Sequence, residues 1–191
     1  YLYSNTNLNI VIRLNPPWGQ SFYRSESDNA NMTDYTTLAH AYKAVVSQLP
    51  FKDNKNLYFQ IDNEWFCKTS GPVYDYNEAS KEYAYFFSYV ADALHSIGDS
   101  RIKVSTAGFA PGGNIQCGCC AQSNCADDKG GITGLQYIQG MMNAIPNIFD
   151  KIDWFASHSY PSSGVGYGFN APYNNAIIGL TYYTQELQLI G

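Results

Sequence analysis

The chain has 191 residues, of which 45% are hydrophobic and 16% aromatic, enough to bury a sizeable core within one domain. Its formal net charge is −5, with 11 lysines and arginines and no basic cluster, so it offers little attraction to phosphate backbones or anionic lipid, and nucleic acid is not an expected partner. Its apolar runs are strand-sized, far short of the roughly 20 residues that span a bilayer. No membrane span is expected. The sequence begins at Tyr1 without an initiator methionine or a signal-like region and reads as a processed or truncated end.

In chain order, "LNIVIRL" (Leu8 to Leu14) is β-branched and apolar, is followed by Pro16-Pro17, and reads as a buried strand. Leu38, Tyr42, Val45, Val46 and Leu49 then recur at helical spacing, with Asp34 or Thr36 as N-cap and Pro50 as the stop. "LYFQID" (Leu57 to Asp62) is a second strand. Ala79, Tyr83, Phe86, Val90, Leu94 and Ile97 form a helical stripe after Asn77, a candidate N-cap, and Gly98 closes it. "RIKVSTAG" (Arg101 to Gly108) is a third strand, and Leu135, Ile138, Met142 and Ile145 mark a helix that Pro146 ends. "KIDWFASHSY" (Lys151 to Tyr160) reads as a fourth strand, and Ile177, Leu180, Tyr183, Leu187 and Ile190 as a last helix.

Five cysteines are present: Cys67, and Cys117, Cys119, Cys120 and Cys125 in "CGCCAQSNC". The spacing C-x-C-C-x4-C is not a familiar zinc signature, so neither metal nor cofactor is expected, and disulfides in an oxidising compartment fit better. Asn31-Met32-Thr33 is an acceptor triplet for N-glycosylation. Both features point to a secreted or cell-surface protein. At least one disulfide is expected to tie the loop holding the four clustered cysteines, with Cys67 as one candidate partner.

The alternation of strand and helix calls for parallel strands, in either an open doubly wound sheet or a (β/α)8 barrel. A barrel gathers its working residues at the C-terminal ends of its strands, and the unusual polar residues fall there: Arg13 on the first strand, Asn63-Glu64-Trp65 after the second, Gly108 to Gly113 after the third, His158 and Tyr160 on the fourth. No G-x-G-x-x-G or P-loop follows a strand. The α/β chain therefore reads as a TIM-barrel-type partial barrel of about four β/α units. Glu64 is the leading candidate for a general acid/base, because an ionisable group at a barrel mouth carries a desolvation cost that chemistry justifies. Asn63 suits a hydroxyl of a polyol substrate, and Trp18 and Trp65 offer flat faces of the kind that stack on sugar rings. Regular alternation would place Asp62 below Glu64, where repulsion raises the pKa of Glu64. Against these, Arg13 can simply pair with a carboxylate and His158 can be a packed structural histidine. His40 and His95 lie in helical stripes and are read as solvated or packed, and Trp154 as core.

"FQIDNEW" resembles the strand-four signature of clan A glycoside hydrolases, in which Asn-Glu closes the strand. "NIVIRLNPPWG" is similar to their strand three, "RIKVSTAGFAPGG" to strand five, and "DWFASHSYP", with its His-x-Tyr, to strand six. The likeness runs from about Leu8 to Gly191, so residues 1–191 are expected to form strands three to six of a catalytic barrel. The resemblance implies that Glu64 is the acid/base, that Asn63 bonds the sugar 2-hydroxyl, and that His158 and Tyr160 contact substrate and orient the nucleophile. Trp65 stands where the family more often has proline. The family nucleophile, a glutamate ending strand seven, would lie outside this chain; Glu186, in a helical stretch, does not match it. The expected function is that of a secreted retaining glycoside hydrolase acting on a β-linked glycan. The alternatives are a non-catalytic barrel that binds glycan or serves in an extracellular assembly, making contact with itself or with the rest of the barrel, and a complete open-sheet domain in which Glu64 is structural.

Overall fold

A computed structural model describes residues 5–15, 30–51, 54–63, 76–109, 134–159 and 180–191. Three strands, β1 (Ile10–Leu14), β2 (Leu57–Ile61) and β3 (Ile102–Thr106), form a parallel sheet in the order β1-β2-β3. Ile10, Leu57 and Ile102 are aligned, as are Leu14, Ile61 and Thr106 at the other end. Four α-helices are described: α1 (Ala30–Val46), α2 (Tyr76–His95), α3 (Gly134–Ala144) and α4 (Tyr182–Ile190). Each helix packs on the next in chain order. Among the described residues, no helix is long and apolar enough to cross a membrane.

The sheet has two chemically distinct faces, as strand alternation requires. Ile12, Phe59 and Val104 lie on one, with Leu57, Ile61 and Ile102, and pack into the core with Tyr83, Phe86, Phe87, Val90 and Leu94 of α2. The other face carries Val11, Tyr58 and Lys103 in one row and Arg13, Gln60 and Ser105 in the next. On that face Val11 is 56% exposed, and Trp154 meets Tyr58 edge to face at 5.8 Å. Trp154 is therefore half-buried against the polar face and lies outside the helix-packed core.

Helix boundaries differ from expectation at several points. Helix α1 starts at Ala30, before Asp34 and Thr36, and turns Tyr35, Ala39 and Val46 inward while Val45 is 59% exposed. Helix α2 begins at Tyr76, so Asn77 lies within its first turn. Its C-terminus is as read: Gly98 has φ of 78° and its N–H donates to the His95 carbonyl. Gly140 of α3 lies where a Cβ would fall 2.9 Å from Ser80 Cβ, so glycine lets α2 and α3 approach closely.

Among the described residues, 151–159 do not form the expected fourth strand. Residues Ile148–Lys151 make a 3-10 turn, and residues 152–159 then run beside β3 without a ladder. Side chains replace the ladder: Asp153 Oδ2 accepts from the Val104 N–H at 2.8 Å, and Ser105 Oγ accepts from the Ala156 N–H at 3.1 Å. One backbone bond, from the Asp153 N–H to the Val104 carbonyl at 2.7 Å, completes the junction. The last helix is also rotated from its predicted stripe. Leu180, Tyr183 and Leu187 are exposed, while Tyr182 and Glu186 are buried.

Candidate functional site

The three described strands are parallel, so their C-terminal ends share one edge. At the end of β2, the Asp62 N–H donates to the Leu14 carbonyl at 2.9 Å, one position past the strand pairing. Asp62 then adopts φ of 69°, a left-handed conformation that aspartate tolerates better than most residues. Its Oδ1 accepts the Asn63 N–H at 2.6 Å, and its carbonyl accepts from Gln60 Nε2 at 3.2 Å. Strand alternation stops at this residue. The expectation that Asp62 continues the Gln60 face is thereby corrected: it is 0% exposed, and its charge bears on Tyr42, Tyr83 and Tyr137 of the helical layer.

A tyrosine-rich layer underlies this edge. Tyr83 donates to the Ile61 carbonyl and accepts from the Ala107 N–H, both at 2.7 Å, and so joins the ends of β2 and β3 through one hydroxyl. Phe109 packs edge to face on Tyr83 at 5.8 Å and lies 5.0 Å from Tyr137. Tyr35 donates to the buried Glu82 at 2.5 Å. Burial, reinforced by the Asp62 charge, pushes Tyr83 and Tyr137 well above the usual phenol range, and it raises Tyr42 in the same way. These phenols hold their protons, and the Tyr83 hydroxyl serves as both donor and acceptor.

Beside β3, His158 is half-buried against Gly108, where a Cβ would fall 2.8 Å from Nε2 and closer still to Cδ2. A glycine at 108 thus makes room for the imidazole. The flanking Ser157 and Ser159 point elsewhere: their hydroxyls meet at 2.8 Å, Ser157 also donates to Glu186, and Ser159 accepts the Tyr183 N–H at 2.9 Å. The first turn of α4 is therefore capped by a residue remote in sequence. Burial pushes the Glu186 carboxyl up to about 7, against the lowering effects of the Ser157 bond and the His158 charge.

The structure places Arg13, exposed, on the polar face of β1, Asn63, half-buried, just past β2, and His158 beside the end of β3, so the three occupy one edge. Glu64, Trp65, Trp18, Tyr160, Cys67, Cys117, Cys119, Cys120 and Cys125 lie outside the described residues. Asn31 belongs to the first turn of α1, and its side chain lies outside them as well. His40 is exposed, and His95 pairs with Asp153 at 2.9 Å. Residues missed in the sequence are Tyr83, Ser157, Ser159 and Glu186. The shared parity of Ser157 and Ser159 was the available signal, as was an acid in a helix that holds no lysine or arginine. Compared with protein-family models, with curated proteins and with solved structures, the chain matches none.

Proposed function

We propose that the chain is part of a secreted, retaining glycoside hydrolase of (β/α)8 type acting on a β-linked glycan. The observation that carries this reading is the unbroken parallel order β1-β2-β3, followed beside β3 by residues 152–159, which sets Arg13, Asn63, Gly108 and His158 along one edge. Doubly wound sheets bind ligands where the strand order reverses; successive barrel units show no reversal, and none occurs among the described residues.

In this reading Glu64 protonates the glycosidic oxygen and later deprotonates the attacking water, while a carboxylate on a later strand, outside these residues, attacks the anomeric carbon from about 5 Å away. Asn63 holds the sugar 2-hydroxyl. Its peptide is fixed by the Asp62 carboxylate, which makes Asp62 a positioning residue for the Asn63-Glu64 pair. His158 and Tyr160 contact the sugar and orient the nucleophile, Arg13 lines the cleft floor, and Trp18 and Trp65 stack on sugar rings.

The test is Glu64→Gln in the intact secreted protein, assayed on aryl β-glycosides and on β-linked polysaccharides. Turnover is expected to fall by roughly 10²- to 10⁴-fold with the circular dichroism spectrum unchanged. Unchanged turnover removes Glu64 from the reaction. A wild-type protein that binds these glycans and cleaves none would instead identify a non-catalytic barrel.

A further inference from the structure

Buried carboxylates are ordinarily paired with a cation or with several N–H donors. Glu186 departs from that rule. It is 0% exposed; one oxygen accepts from Ser157, and Oε1 has no hydrogen-bond partner among the described residues. Its own helix, α4, carries no other charged side chain and presents Tyr182 one turn earlier. Helix α3, packed against α4, has no charged residue between Gly134 and Ala144, and its ionisable group is Tyr137. On the segment beside β3, His158 is the cationic group that bears on Glu186. Asp153 of that segment is turned toward His95 and Lys103.

The contacts suit two proton arrangements. With Glu186 neutral, its O–H donates to Ser157 Oγ, Ser157 donates to Ser159, and Ser159 Oγ still accepts the Tyr183 N–H. With Glu186 ionised, the Ser157 hydroxyl must turn back to the carboxylate, Ser159 donates to Ser157, and a full charge is left buried with Oε1 unbonded among the described residues. We infer that Glu186 is a proton-controlled latch: its neutral form seats α4 on the segment that carries His158, and its ionisation loosens that seat. This holds whether or not Glu64 cleaves glycosides. Because the carboxyl is raised from its ordinary 4.5 to about 7, the stabilisation is complete below pH 4.5 and is lost as pH rises through 7.

The test is a ¹³C titration of the Glu186 side-chain carbonyl in the intact protein, combined with amide hydrogen exchange of residues 182–190 measured against α2. The expected result is a midpoint near 7. Protection of α4 should fall by up to about tenfold for each unit that pH rises between 4.5 and 7, and Glu186→Gln should abolish the dependence. A midpoint at or below 4.5, or α4 protection that does not change with pH in the wild type, overturns the latch. If Glu186→Gln does not fold, Ser157→Ala decides: loss of the bond that favours the carboxylate should move the midpoint further up, and an unmoved midpoint overturns the proposal.

Discussion

On one side β3 pairs with β2 through a continuous parallel register, from Leu57 opposite Ile102 to Ile61 opposite Thr106. On the other it meets residues 153–156 through one backbone bond and the side chains of Asp153, Trp154, Lys103 and Ser105. Behind the first flank stand Phe86, Phe87, Val90 and Leu94, all fully buried. Behind the second stands α4, which buries Tyr182 and a carboxyl group, leaves Tyr183 and Leu187 exposed, and packs Leu189 and Ile190 only partly buried against the core. The first flank is therefore stabilised mainly by buried apolar area, which is indifferent to pH. The second draws on a few polar atoms, and in the latch inferred for Glu186 their worth changes with a single proton.

The contrast is sharpest at Phe86, which is fully buried and lies 5.8 Å from the Tyr35 ring. Phe86→Ala is expected to cost about 3–5 kcal/mol of global stability by denaturant unfolding, through lost transfer energy and a residual cavity. Tyr83→Phe keeps the ring and removes the hydroxyl between the Ile61 carbonyl and the Ala107 N–H. It should cost about 1–3 kcal/mol, because both buried backbone groups lose a partner. Ser159→Ala removes the acceptor for the Tyr183 N–H and should cost about 1 kcal/mol, as loss of a helix cap does. That loss should appear as faster amide exchange in α4 with the unfolding midpoint of the α2 core almost unmoved. If Ser159→Ala and Phe86→Ala lower the same midpoint equally, the two flanks form one cooperative unit and the distinction fails.

Much of the inner flank was legible from the chain. The β-branched runs gave β1, β2 and β3, and the stripe through Tyr83, Phe86, Val90 and Leu94, closed by Gly98, gave α2. These are places where local pattern and tertiary burial agree. The outer flank was not legible for two physical reasons. "KIDWFASHSY" alternates like a strand, but Asp153 and Ser105 occupy the hydrogen-bonding positions that a ladder would use. In α4, the apolar stripe through Tyr183 and Leu187 outweighs Glu186 on any hydrophobic count, yet Tyr182, Leu189 and Ile190 pack inward and Ser157 and Ser159 bond to Glu186 and to the Tyr183 N–H, so the helix turns the other way. At the site, Asn63 lies just past β2 and His158 beside the end of β3, on the C-terminal edge of the sheet. Asp62 does not keep the parity read from the sequence, because a left-handed residue cannot be seen in strand periodicity.

Gly108 and His158 divide one volume between two stretches of chain. The imidazole stands where any side chain on residue 108 would have to stand, so the absence of atoms at one position is what seats the ring at the other. Occupancy at 108 therefore governs the histidine by subtraction. A single added methyl there would displace the ring without deleting any polar group of the edge, so this part of the molecule can be disabled by adding matter as readily as by removing it.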